Sequence, residues 1–242
     1  MNTWVPSRSA PATRSAEAHV WRLALDQPVS ESVQQIELLS DDERNRADRL
    51  RFERHRHRFI LARAGLRKIL GLYLERPARE LNFLYGDHGK PRLALPFSTT
   101  GLEFNLSHAQ DIALIAVTRE ARIGIDIEYV DRKVEMEGIA RRFYAPEEFA
   151  AIQAAPEPGR RQAFFNCWTR KEAYLKARGD GITVNLESFA VSVENTDTPS
   201  LLRCEINSPE EWSMRSLHPH DQYVAALAMA SPACRLRLLQ LD

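Results

Sequence analysis

The sequence predicts an α+β chain built as two halves of similar plan. Three observations carry that expectation. The periodicities run strand, helix, strands and then again strand, helices, strands; the change falls near residues 118–121; and 242 residues suffice for one large domain or two small ones. No repeat of residue identity accompanies the repeated plan, and a cleft between two such halves is a natural place for a ligand.

The first 17 residues, MNTWVPSRSAPATRSAE, hold two arginines and no acid before Glu17. They lack the apolar core of a secretory signal, resemble a transit peptide only weakly, and read as a disordered tail. HVWRLALD (19–26) alternates as a strand does. Ser40-Asp41-Asp42-Glu43 then supplies caps and acids for a helical segment from Asp41 to Leu74, as one helix or two, ending before Pro77. Leu50, Phe59, Leu66 and Leu70 are candidates for its buried stripe. From Leu81, LNFLY, GDHGKPRL and LEFNLSHAQDIALIAVT read as short strands joined by turns. ARIGIDIEYV (121–130) is another strand. VEMEGIARRFYAPEEFAAIQ and RRQAFFNCWTRKEAYLKAR read as helices separated by PEPGR, and FAVSVEN, LLRCEIN, EWSMRSL, YVAALAMA and CRLRLLQL return to strands. The expected division is a tail over 1–17, an N-terminal half over 18–119 and a C-terminal half over 120–242.

The 33 basic residues balance 33 acidic ones, so no net field gathers nucleic acid or an anionic membrane, and any anion site must be local. Cys167, Cys204 and Cys234 form no CxxC pair, which points to reduced thiols in a cytoplasmic protein. No apolar run approaches the ~18 residues of a membrane span.

Five stretches could carry chemistry. In GIDIE, strand alternation puts Gly124, Asp126, Glu128 and Val130 on one face and Ile123, Ile125, Ile127 and Tyr129 on the other. Carboxylates two residues apart, about 6.5–7 Å, converge on a divalent cation or line an ordinary polar strand face. In WTRKEAYLKA, helical spacing aligns Phe165, Trp168, Glu172 and Lys176, so a glutamate continues a stripe that begins aromatic. The plain alternative is an exposed i,i+4 pair worth roughly 0.2–0.5 kcal/mol. In YGDHGKPRL, Gly89 frees the backbone and Pro91 holds Lys90 extended, which aims the lysine or simply makes a turn. In FNLSHAQD, Ser107 and His108 are neighbours on opposite strand faces; that disfavours a catalytic serine–histidine pair and leaves His108 as a phosphate contact. Between Asp41 and Lys68 stand ten Arg or Lys against five Asp or Glu. Arginine forks match phosphate oxygens, though a solvated helix face gives the same composition.

GIDIE followed some 40 residues later by WTRKEAYLKA, with GKP and FNLSH upstream, resembles the Sfp-type 4′-phosphopantetheinyl transferases over about residues 40–190. The resemblance implies a pseudo-twofold pair of α+β halves with coenzyme A and magnesium, or manganese, between them. It implies transfer of phosphopantetheine from coenzyme A to a serine of an acyl or peptidyl carrier protein, with release of adenosine 3′,5′-bisphosphate. Carried over, Asp126, Glu128 and Glu172 look like the metal ligands; Glu172, Lys176 and Asp126 look catalytic; Lys171 and Lys176 would neutralise phosphate; and His108 with Ser107 would hold a phosphate. Lys90 looks like the lysine near the nucleotide, and Arg54 and Arg58, with Arg44 and Arg46 behind them, are the choices for the 3′-phosphate. A monomer without nucleic-acid or membrane partners is expected. The resemblance implies carriers of fatty-acid, polyketide or nonribosomal peptide synthesis without choosing among them, and the WTRKEA form leans, as a family tendency, towards broad or secondary-metabolic carriers. Two rivals remain at this point: another magnesium-dependent phosphoryl enzyme, which leaves the ordered lysine motifs unexplained, and an RNA-binding protein using the arginine-rich helix over 44–68, against which the zero net charge counts.

Overall fold

The computed structural model describes residues 3–86, 89–131, 133–179 and 184–241. Its first half is β2 (Glu17–Ala24), α1 (Val29–Gln35), α2 (Asp41–Asp48), α3 (Glu53–Leu74), the short hairpin β3 (Phe83–Tyr85) and β4 (Pro91–Leu93), then β5 (Leu102–Ala109) and β6 (Ile112–Arg119). Its second half is β7 (Ile123–Tyr129), α4 (Met136–Phe143), α5 (Pro146–Ala154), α6 (Gly159–Arg178), the pair β8 (Phe189–Val191) and β9 (Leu201–Cys204), then β10 (Ser213–Leu217) and β11 (Tyr223–Met229).

The two halves share a topology. In the first, β6 lies between β2 and β5, all antiparallel, with α3 between β2 and β5 in sequence. In the second, β11 lies between β7 and β10, also antiparallel, with α6 between β7 and β10 in sequence. The sheets pack back to back. Ala18, Val20, Leu114 and Ala116 meet Ile123, Ile125, Ile127 and Leu227 between them, while Trp21, Leu23, Ile115 and Val117 face α3 and Val224, Ala226 and Ala228 face α6. The order of layers is therefore helix, sheet, sheet, helix. With both faces covered, β6 and β11 are apolar at nearly every position, as IALIAV and YVAALAM require.

The helical segment over 41–74 is two helices. Glu43 accepts from the Ser40 amide at 3.2 Å at the start of α2, and Glu75 closes α3 in the left-handed region at φ 53°. VEMEGIARRFYAPEEFAAIQ, expected as one helix, is broken into α4 and α5 because Pro146 takes the first position of the second. Two further differences concern the ends of the chain. Val5–Ser7 in the expected tail forms β1, and β12 (Arg235–Leu241) leaves the second half to lie parallel between β1 and β2. The apolar partners that Leu236, Leu238 and Leu239 find there lie in the first sheet and in the core between the sheets. Among the described residues, no helix is long and apolar enough to cross a membrane.

Candidate active site

The site forms where α6 lies on β7, and Gly124 sets their distance. A Cβ at that position would stand 2.1 Å from the Ala173 carbonyl oxygen and 2.3 Å from the Ala177 amide nitrogen, so only glycine admits the helix. Two residues along the same strand face, Asp126 is 5% exposed and looks at the same helix. Between Ala163 and Ala177 every α6 residue is buried except Trp168, Glu172 and Lys176, one strip at i, i+4 and i+8. That strip opens on a cleft of about 590 Å³ shared with Ser107, His108, Asp126 and Glu128.

A compact polar knot closes its floor. Lys176 Nζ donates to Asp126 Oδ1 at 2.6 Å and to Ser107 Oγ at 3.1 Å, and Ser107 Oγ donates to Asp126 Oδ1 at 3.0 Å. The ion pair of Lys176 is thus across the cleft and not along its own helix. Asp126 Oδ2 is buried without a hydrogen-bond partner among the described residues, an acceptor that calls for a donor or a cation. Glu172 completes the carboxylates. Burial, and then the negative charge of Asp126, push its pKa above the usual glutamate value against the opposing pull of Lys176. Glu128 is half-buried on the same cleft wall. The three carboxylates face one cleft, yet among the described residues no three His, Cys, Asp or Glu side chains gather closely enough to form a finished ion site.

A second hollow, about 270 Å³, shares Leu106, Glu172 and Lys176 with the first and is lined on its far side by Arg46, Arg63 and Lys90. Around His108 the potential is positive: packing, and then the charges of Lys176, Arg63, Arg58 and Arg46, hold its imidazole below the usual histidine value although one side of the residue is exposed. Arg58 reaches Gln110 Oε1 at 3.3 Å at the cleft mouth. Lys90 Nζ turns inward to the carbonyls of Ile123 (3.1 Å) and Lys176 (2.6 Å), clipping the start of β7 to the end of α6, and burial draws its pKa down to about 8.

Three expected site residues are placed elsewhere. Lys171 is 1% exposed in the second core, ion-paired with Glu148 at 2.8 Å and donating to the carbonyls of Leu186 and Phe189, so it does not reach the cleft. Helical spacing explains this, because one residue from Glu172 is about 100° around the helix. Arg54 is exposed and lines neither hollow, while Arg44 donates to the carbonyls of Ile36 and Glu37. Gly179, at φ +85°, ends α6; the Asp180 and Gly181 of the same motif, and Asp87 and His88 of GDHGKP, lie outside the described residues.

Sequence reasoning missed Asn105 and did not single out Arg63. Asn105 Oδ1 accepts the Ile125 amide at 2.9 Å and so fixes β5 against β7, which share no ladder. Its signal was present: Asn105 and Ser107 are two apart on a strand and share a face. Nothing in sequence separates Arg63 from nine other cations of the same run.

Residues 122–228 match the 4′-phosphopantetheinyl transferase superfamily, and residues 27–120 match the family described as 4′-phosphopantetheinyl transferase, N-terminal. The chain is 41% identical over 229 residues to the 4′-phosphopantetheinyl transferase HetI of Nostoc sp., covering 95% of this chain and 94% of that one. It is 32% identical over 170 residues to a putative 4′-phosphopantetheinyl transferase of Synechocystis sp., covering 70% and 68%. It is 25% identical over 193 residues to the 4′-phosphopantetheinyl transferase Sfp of Bacillus subtilis, covering 78% and 83%. The chain belongs to the 4′-phosphopantetheinyl transferase superfamily.

Proposed function

We propose that the protein transfers 4′-phosphopantetheine from coenzyme A to a serine of an acyl or peptidyl carrier protein, converting the apo carrier to its holo form and releasing adenosine 3′,5′-bisphosphate. The observation that carries the reading is the knot of Asp126, Ser107 and Lys176 beside Glu172, flanked by the cations of the second hollow. The diphosphate lies over the knot. The 3′-phosphate goes to Arg46 and Arg63, with Arg58 and His108 at the mouth, in place of Arg54.

Asp126, Glu128 and Glu172 would hold a magnesium ion, since carboxylate oxygens suit a hard cation and Asp126 Oδ2 is free to receive one. Bound there, it would supply positive charge to a diphosphate. Lys176 has three N–H donors, two of them engaged by Asp126 and Ser107, and turns the third to the phosphate whose charge grows as the leaving group departs. The serine hydroxyl attacks the β-phosphorus, a new P–O bond forms, and the bond to adenosine 3′,5′-bisphosphate breaks. Glu172, facing the same cleft as Asp126 and Lys176, takes the serine proton.

The carrier approaches over the second half near α4, where Phe143 is 42% exposed beside Arg142, while Tyr144 is buried. Charge reversal at Arg141 and Arg142 that left carrier affinity unchanged would remove that placement. The function is tested by incubating the protein with coenzyme A, magnesium and several apo carriers and weighing the carriers intact. A phosphopantetheine-sized gain supports it, and no gain on any carrier rejects it.

A further inference from the structure

Arg46 and Arg63 are held by the same ring. Neither forms an ion pair among the described residues; each guanidinium lies 5.6 Å from the centroid of the Phe59 ring, and that of Arg63 also lies 5.8 Å from the ring of Tyr85. Arg63 is 7% exposed, with one terminal nitrogen buried and unpartnered, on the wall of the second hollow. One turn further along α3, Arg67 also lies over a ring, that of Phe83 at 5.0 Å, but its guanidinium is ion-paired with the buried Glu43 at 2.7 Å. Glu43 also accepts from the Ser40 hydroxyl and amide and, at 3.5 Å, from the Tyr85 hydroxyl, so its carboxylate is shared among Arg67, the helix start and Tyr85.

The contrast has a physical sense. A carboxylate fixes a guanidinium but cancels its charge, whereas an aromatic face fixes it and leaves the charge and the N–H fork for an incoming anion. We propose that Phe59 is a positioning residue that aligns Arg46 and Arg63 on the 3′-phosphate of coenzyme A, with Tyr85 bracing Arg63, and that it thereby sets the preference for coenzyme A over 3′-dephospho-coenzyme A. This rests on the reading that the second hollow receives the 3′-phosphate. Phe59 also packs on the small core between α2 and α3, so its role must be separated from simple filling.

The full-length protein is assayed with magnesium and an apo carrier, varying coenzyme A or 3′-dephospho-coenzyme A, as wild type, Phe59→Leu, Phe59→Tyr and Arg63→Ala. Leucine keeps apolar bulk and loses the ring face; tyrosine keeps the face. The expected result for Phe59→Leu is a KM for coenzyme A raised roughly tenfold, from two lost cation–ring contacts, with kcat and the KM for the dephospho form unchanged. Phe59→Tyr should behave as wild type. A Phe59→Leu variant that raises both KM values alike, or leaves the coenzyme A preference intact while Arg63→Ala abolishes it, overturns the role of Phe59 alone. A preference untouched by Arg63→Ala overturns the placement of the 3′-phosphate and this inference with it, and so does a wild type without preference. Transfer from neither co-substrate overturns the proposed function as a whole.

Discussion

Replacing Gly124 by alanine tests the most consequential contact in the molecule. The added methyl would sit 2.1 Å from the Ala173 carbonyl oxygen, 2.3 Å from the Ala177 nitrogen and 2.9 Å from the Ala177 Cα, where ordinary contact begins at 3.4 Å. All three atoms are backbone in a helix buried on both flanks, so no side chain can swing away and α6 must move off β7 by about 1 Å. Overpacking of this kind costs about 1–3 kcal/mol. At this chain length that corresponds to a fall in Tm of roughly 2–12 °C. The functional loss should be larger, because the shift carries Glu172 and Lys176 away from Asp126, and a displacement of about 1 Å at reacting groups costs on the order of 100-fold in rate. The assay is kcat/KM for carrier modification by intact mass, at a temperature where circular dichroism finds the variant folded. Activity within about threefold of wild type together with an unshifted Tm would refute the claim that glycine is there to admit the helix.

Glu172→Gln should lower carrier modification by roughly 100- to 10,000-fold while coenzyme A binding, followed by calorimetry, stays near wild type; activity within tenfold would remove the general-base role. Lys171→Met strands the buried Glu148 carboxylate and should cost about 3–5 kcal/mol in denaturant unfolding, with little change in the KM for coenzyme A of the folded fraction. A raised KM without lost stability would instead return Lys171 to the phosphate. Lys90 titrates near 8 in the folded chain against 10.5 for a free lysine. Between those values the unfolded chain keeps a proton that the folded one has released, so this group makes stability rise with pH across that window. Lys90→Met should flatten the rise relative to wild type, and parallel stability–pH curves would show that the lysine is not held down as described.

Much of the site was legible because the two periods it uses are simple. A strand period of two puts Gly124, Asp126 and Glu128 on one face, and a helix period of 3.6 puts Trp168, Glu172 and Lys176 in one line. The same arithmetic, taken one residue back from Glu172, excludes Lys171 from that line, although the resemblance implied a phosphate contact for it. Arg46 and Arg63 are a different matter. Arginines recur at every second or third position from Arg44 to Arg58, and which of these and of Arg63 and Arg67 enter the hollow is decided by Phe59, Tyr85 and the capture of Arg67 by Glu43. Those are contacts between elements, which no local pattern contains. The return of β12 to the first sheet is of the same kind, since an alternating strand states which of its faces is apolar but not which sheet will cover it.

The zero net charge also acquires a meaning from the geometry. The first half brings Arg46, Arg58, Arg63, Lys90 and His108 to the cleft, while the second brings Asp126, Glu128 and Glu172 with Lys176. A balanced whole therefore contains a cleft divided into a cationic side and a carboxylate side. The division suits a ligand with two kinds of phosphate. A monoester at one end needs only to be held, and guanidiniums backed by rings hold it without chemistry. A diphosphate at the other end has to be broken, which requires a base close to the attacking hydroxyl and positive charge that can follow the departing group. A carboxylate repels a phosphate unless a cation stands between them, but it can take a proton, so the two tasks are served by separate clusters. Two halves of like topology, joined back to back with Asn105 and Ser107 of β5 tied to Ile125 and Asp126 of β7, keep the clusters separate and in register.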